Sequence, residues 1–392
     1  MRLSLRTGWA AALVGVFWMV LPGISLSQPQ KGVSFEDLAE KAKSASEQNR
    51  LDEAALLYRK ALALKPTWQE GWWSLGTLEY DRDQYAKAAQ AFAKLIALNP
   101  RHGTAHAMLG LCQFELGSDA LALKNLLAAD RLGISKDEQL RKVALYHLGV
   151  LQLRARKFNS AKETLQELAK DGVRTKELTT ALGEAALLMR PQEAPADATG
   201  GSNVVQRSGE AELALATKDF DRAKQIYSAV ANEFPTYPNL HLAYGKLLLD
   251  THDTEAAVAE FQKELQRDPK NLNALLEIAA VRYQVDSQDG LKYAEQAVKL
   301  APQQPFAHYL LGLLLLDTGN VARAIAELER ARQGLPREAG VYFALGNAYA
   351  KAGRRKEAAE ARETFTRLKQ RSQDSPGLAN TYGDHPRLPV PQ

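Results

Sequence analysis

The sequence predicts an all-α solenoid of antiparallel helix hairpins, arranged in two lobes. Three observations predict it. Prolines closing short helical stretches recur at a fixed interval: Pro66 and Pro100, Pro235 and Pro269, and Pro302 and Pro336 are each 34 residues apart. Between them, apolar and small residues fall at i, i+3, i+4 and i+7, the stripe of one helix face. The stripes come in pairs separated by short polar turns, such as DRDQ at 81–84. Two short amphipathic helices cannot bury both apolar faces alone, so each pair must stack on copies of itself.

The first element precedes the array. Arg2 and Arg6 are followed by an apolar run from Trp9 to Leu21, then Pro22-Gly23, with Ser25 and Ser27 as small residues before Gln28. This is the layout of a secretory signal peptide over residues 1–27, with 28–34 as a linker. An uncleaved anchor is the competing reading, because Trp9 to Leu26 is about the minimum length that spans a bilayer. The helix-breaking Pro22-Gly23 favours cleavage. Export places the protein outside the cytoplasm, in the periplasm, with secretion or an N-terminal anchor as alternatives. The membrane then matters only transiently, through the leader.

The hairpins follow. Numbering Gln69–His102 as places 1–34, Trp72, Leu75, Gly76 and Glu79 occupy places 4, 7, 8 and 11 of a first helix. Ala88, Phe92 and Leu95 occupy places 20, 24 and 27 of a second, which Pro100 ends at place 32. Small residues at places 8 and 20 let the two backbones approach, and the aromatic at 24 fills the gap beside them. Proline lacks a donor and clashes with the preceding turn, so it stops the second helix.

These residues resemble the tetratricopeptide repeat signature W-x2-L-G-x2-Y…A-x3-F…P, with Glu79 in place of the tyrosine. Eight further copies keep subsets of it. Among them are Ala54, Tyr58 and Pro66; Leu109, Gly110 and Gly117; Leu148, Gly149 and Ala161; Ala223, Tyr227 and Pro235; Gly245 and Phe261; and Leu345, Gly346 and Gly353. Repeats are expected near 35–66, 69–100, 103–134 and 142–173, with a lone helix at 176–189, as lobe 1 (35–190). Lobe 2 (204–370) holds repeats near 204–235, 238–269, 272–302, 305–336 and 339–370. The copy at 272–302 is one residue short, with Gly290 where alanine is expected, and its second helix is expected to start late. The Pro/Ala/Gly/Ser-rich stretch at 191–203 reads as a linker, and the proline-rich tail at 371–392 as disordered. The resemblance covers nearly the whole chain beyond the leader and implies a superhelix whose concave side binds an extended peptide or a partner's helix.

Chemistry is sparse. The chain has no H-E-x-x-H, G-x-S-x-G, phosphate-loop or dinucleotide-binding motif, so no catalytic residue and no cofactor is assigned. His106, His241 and His308 share place 4 with Trp72 and read as packing residues. His102 and His106 have a chelating spacing but no third ligand, so no metal is assigned. The lone Cys112 lies in an apolar helical pattern and reads as core. Without residues 1–27 the chain has 48 basic and 46 acidic residues and no run of five or more like charges, which argues against nucleic acid.

What remains is surface. Places 2, 5, 9 and 12 of the first helices centre roughly 130° from the packing stripe at 100° per residue. In the family this face lines the concave groove. Here it carries Trp73, Tyr80, Leu111, Phe114, Tyr146 and Leu153, then Tyr283, Phe306, Tyr309, Leu313 and Phe343. Trp72 matches the family's packing tryptophan, which turns Trp73 toward the groove. The Lys/Asn/Arg clamp by which some members hold acidic chaperone C-termini is not matched, because Trp73 and Thr77 stand at its places. The function expected is a non-catalytic scaffold or adaptor that binds a protein or peptide segment, in cell-envelope assembly or secretion. An enzyme with an unfamiliar site, or an accessory subunit of an envelope enzyme, is the alternative. Mass spectrometry of the native protein should find Gln28 at the N-terminus, whereas an intact Met1 in a membrane fraction establishes the anchor.

Overall fold

In the computed structural model, the described residues are 34–134, 138–191, 193, 201–283 and 285–374. The leader, most of the linker at 191–203 and the tail from 375 lie outside them. The described residues form nineteen α-helices and no strand, and none of these helices is long and apolar enough to cross a membrane.

The chain divides into two compact units, residues 1–148 and 149–392. In the first, α1 (Phe35–Glu47) pairs with α2 (Leu51–Leu64), α3 (Gln69–Asp81) with α4 (Tyr85–Leu98), and α5 (Gly103–Glu115) with α6 (Asp119–Leu132). The boundary falls within α7 (Glu138–Arg154), which starts four residues before the expected 142. The second unit continues with α8 (Phe158–Lys170), α9 (Lys176–Ala186), α10 (Gly201–Ala216) and α11 (Phe220–Glu233). Then come α12 (Leu240–Asp250) with α13 (Thr254–Arg267), and α14 (Leu272–Arg282) with α15 (Ser287–Leu300). Last are α16 (Pro305–Asp317) with α17 (Val321–Gly334), and α18 (Ala339–Lys351) with α19 (Arg355–Asp374).

Eight hairpins turn at place 15 in the left-handed region, and the short copy at 272–302 does not, with Asp286 there at φ −145°. Gly117, Gly319 and Gly353 take it without strain, while Asn49, Asp83, Arg156, Lys218 and His252 adopt it as non-glycines. Successive hairpins are then tied by one recurring bond. The place-4 side chain reaches back six residues to the carbonyl of the proline closing the hairpin before it. Trp72 Nε1 donates to Pro66 O (2.8 Å), His241 Nε2 to Pro235 O (2.9 Å), His308 Nε2 to Pro302 O (2.9 Å) and Tyr342 OH to Pro336 O (3.0 Å). His106 Nε2 lies 3.2 Å from Pro100 O. Each proline stands two residues past the end of its helix, so its carbonyl lies outside the helical ladder and takes its donor from the next hairpin.

The substitution of glutamate for tyrosine at place 11 of the second hairpin has a partner. Glu79 is 1% exposed and pairs with Arg59 on α2 and, at 3.4 Å, with Arg82. In the last hairpin the usual tyrosine, Tyr349, donates from the same place to Glu329, the counterpart of Arg59. One contact is thus made with either polarity.

Two expectations are corrected. The helix at 176–189 is not alone: α9 packs on α10, and the residues flanking the expected linker are in contact. A Cβ on Gly183 would lie 1.9 Å from the Val205 carbonyl oxygen, and one on Gly209 would lie 1.8 Å from that of Thr179. The helices therefore cross backbone to backbone, and α10 already begins at Gly201. The short copy at 272–302 does not start its second helix late. Ser287 precedes Gly290 by the same three residues that separate Tyr85 from Ala88, and the missing residue is lost between the starts of α14 and α15. Gly290 is small because Leu314 of α16 presses on it, 2.9 Å from where a Cβ would lie.

Glu184 of α9 is buried at 7% exposure, and burial pushes its carboxyl up to about 7. An acid whose folded pKa is raised loses stability as pH climbs from the ordinary carboxylate range to that value. Denaturant titration should find the wild type roughly 2 kcal/mol less stable at about pH 8 than at about pH 5 relative to Glu184→Gln.

Candidate functional site

The first helices of unit 1 place four of the expected groove residues at half exposure: Trp73 and Tyr80 on α3, Phe114 on α5 and Tyr146 on α7. They do not stand free of one another's neighbourhoods. The Trp73 indole meets the Phe92 ring edge to face (5.6 Å between centroids) and stacks on His102 of the next hairpin (5.8 Å). Tyr80 packs against Tyr85 (5.4 Å), and burial pushes its hydroxyl pKa upward. Phe114 and Tyr146 both contact His147, at 4.3 and 5.6 Å. The result is a strip of rings in which histidines join the aromatic positions. His102 and His147 are members that helical-wheel reasoning missed, because one precedes its helix and the other lies at place 6.

The remaining expected residues fare differently. Leu111, Leu153, Phe306, Tyr309 and Leu313 are buried and present no surface. The reason is clearest in α16, whose sequence PFAHYLLGLLLLD is apolar on every side, so it is enclosed by α14, α15, α17 and α18. Tyr283 at the end of α14 and Phe343 on α18 remain half-buried, the latter against Phe365 at 5.3 Å. Unit 2 therefore lacks the continuous strip that the sequence suggested.

Unit 2 has instead a polar cavity of about 410 Å³ bordered by Arg156, Asn159, Asn239, Lys246, Asn271 and Asn273. Asn239 holds it together: its Nδ2 donates to Leu187 O and its Oδ1 accepts from Asn271 Nδ2, each at 3.0 Å. Lys246 Nζ lies 3.4 Å from buried Glu277, whose carboxyl is pushed up by burial against the pull of Lys246. Deeper in the unit, Glu212 accepts from Tyr227 OH (2.9 Å) and Gln166 Nε2 (3.0 Å).

The histidines are occupied structurally. His102 Nδ1 accepts the Ala105 N–H at the start of α5 (3.1 Å). His241 and His308 face the Glu260 and Glu327 carboxylates across their hairpins, at 2.6 and 2.5 Å, besides their bonds to proline carbonyls. Cys112 is buried, and burial pushes its thiol up to about 12, far from a reactive thiolate. No group of three or more His, Cys, Asp or Glu able to hold a metal occurs among the described residues.

Neither tryptophan is fully buried, which revises the contrast drawn from sequence. Trp72 is half-buried beside Leu62, Pro66 and Leu98, while Trp73 packs within its own hairpin and on the next. Trp73→Ala should therefore destabilise by about 2 kcal/mol, below the 3–5 of a fully packed aromatic, and Trp72→Ala by a similar amount. Thermal melting of both variants checks this.

Family models described as tetratricopeptide repeat match residues 39–94, 74–135, 143–171, 214–274, 280–339 and 309–376. The chain is 26% identical over 281 residues to cellulose synthase operon protein C of Xanthomonas axonopodis pv. citri (strain 306), covering 69% of this chain and 16% of that protein. It is 28% identical over 151 residues to superkiller protein 3 of Schizosaccharomyces pombe (strain 972), covering 36% and 11%. The chain thus spans under a fifth of the length of either relative. Among solved structures it is similar to MamA 41-end from Desulfovibrio magneticus RS-1, at 24% identity and a TM-score of 0.41, covering 46% of this chain and 99% of that one. The repeat models together match more than half of the sequence, and the protein belongs to the tetratricopeptide repeat family.

Proposed function

We propose that this protein is a non-catalytic scaffold that acts outside the cytoplasm and binds a segment of a partner protein along the ring strip of unit 1. The observation that carries the reading is the strip itself. Trp73, Tyr80, Phe114 and Tyr146 are partly exposed on successive first helices, so rings that also pack within and between hairpins offer a partner a row of aromatic surface. Tyrosine and tryptophan supply much contact area at low entropic cost, and they dominate interface hot spots. The scaffold reading draws further support from the histidines, which are committed to hydrogen bonds between and within hairpins rather than to a reacting centre. The leader-like residues 1–27 support the location.

Photo-crosslinking tests the site. A photoreactive phenylalanine analogue in place of Tyr146 in the native cell envelope should capture one predominant partner, while the same analogue at exposed Lys124 on α6 should not. A peptide spanning the captured stretch should bind the purified chain. Phe114→Ala should weaken that binding by about 2 kcal/mol, a hot-spot loss, while its circular dichroism spectrum stays that of a folded helical array. Equal capture at both positions, or a peptide indifferent to Phe114→Ala, rejects the strip as the site.

A further inference from the structure

The first helices of unit 1 differ from the second in charge as well as in position. Helices α1, α3 and α5 together carry eight acidic and two basic residues, and α3 and α5 have no lysine or arginine at all. Helices α2, α4 and α6 reverse the balance, with four acids and six bases. The repeat does not require this segregation. In unit 2 the first helices α12, α14, α16 and α18 carry three acids and three bases. The acid excess therefore belongs to the helices that hold Trp73, Tyr80 and Phe114.

Carboxylates stand next to the rings. Asp81 follows Tyr80 and Glu115 follows Phe114, each as the last residue of its helix, where the helix dipole adds to the negative potential. Both are exposed, and neither forms an ion pair among the described residues. Glu79, by contrast, is buried and committed to Arg59 and Arg82. The charges reach Tyr80, whose hydroxyl pKa is raised by burial first and, among its neighbours, by Glu115 and Asp81. Tyr85, packed on Tyr80, donates to Asp83 (2.5 Å), which brings a third carboxylate to the same two rings.

Charge decides what fits. Carboxylates beside partly exposed rings suit a lysine or arginine side chain, whose cation pairs with the acids while its stem and charge rest on aromatic surface. An acidic segment would be repelled. A divalent cation would also be drawn to carboxylates, but no three of them converge as a metal site needs among the described residues. The balance changes at α7, where Arg141, Lys142 and Arg154 stand against Glu138. The acidic stretch thus ends before Tyr146.

We propose that the partner segment taken by the ring strip is basic, setting lysine or arginine side chains against Tyr80, Asp81 and Glu115 and apolar side chains against Trp73 and Phe114. The inference rests on the strip being the docking site and adds the charge of what docks there. The probes are three short fluorescein-labelled peptides in which leucine alternates with arginine, glutamine or glutamate, titrated into the full chain by fluorescence anisotropy. The arginine peptide should bind saturably and, at low salt, at least about tenfold more tightly than the glutamine peptide. The advantage should shrink as salt is raised, and the glutamate peptide should bind weakest. The double variant Asp81→Asn with Glu115→Gln should remove the advantage, while Lys124→Gln on α6 should leave it unchanged. Phe114→Ala should weaken the arginine and glutamine peptides alike. Circular dichroism should find the double variant folded, since both carboxylates are exposed and the substitutions are isosteric. Equal affinity for the arginine and glutamine peptides, both weakened by Phe114→Ala, overturns the charge assignment and leaves the strip standing. An arginine preference that survives the double variant also overturns it. A preference lost in the double variant but indifferent to Phe114→Ala removes the strip, and this assignment with it. No saturable binding of the arginine peptide overturns the proposal, as does calorimetric binding of calcium that the double variant abolishes while no peptide binds, which assigns the acids to a metal.

Discussion

Five hairpins close on the same contact, a glycine in the first helix against the side chain sixteen residues later in the second. The pairs are Gly76 with Phe92, Gly110 with Leu126, Gly149 with Leu165, Gly245 with Phe261 and Gly312 with Leu328. In each, a Cβ on the glycine would come within 2.9 Å of that side chain. The absent methyl group sets the distance between the two helices, and with it the length of turn that can join them. It also fixes which faces are left to meet the next hairpin. The 34-residue period is the sequence record of that geometry repeating.

This is why so much of the fold was legible and why two parts were not. Helix starts, turns and closing prolines follow from local spacing, because the hairpin is built from contacts at short, constant separations. The pairing of α9 with α10 escapes such reading. It rests on backbone against backbone at Gly183 and Gly209, across a break in period between the two helices. The short copy was misread for a related reason: Gly290 answers to Leu314 in the following hairpin as well as to Arg282 and Ala279 of its own.

The candidate site was legible in the same uneven way. Helical phase gathers Trp73, Tyr80, Phe114 and Tyr146 on one side of the first helices, and all four are only partly buried. Phase alone says nothing about how closely the next hairpin covers a given place. It therefore treats Leu111, Leu153, Phe306, Tyr309 and Leu313 as equivalent to the rings, whereas neighbouring helices enclose them.

The bonds from place 4 to the proline carbonyls are not made at every seam. The hairpin beginning at α14 carries Leu275 six residues after Pro269, a side chain with no donor, and Arg207 of α10 turns instead to Glu233 within its own hairpin. Where the bond exists, two successive hairpins share a polar anchor at this place; at the seam before α14 other bonds take over, from Asn271 to Asn239 (3.0 Å) and from Arg282 to Glu255 (2.7 Å). For a chain under mechanical load, such as a scaffold pulled between two partners, the array is then a stack of unequal joints.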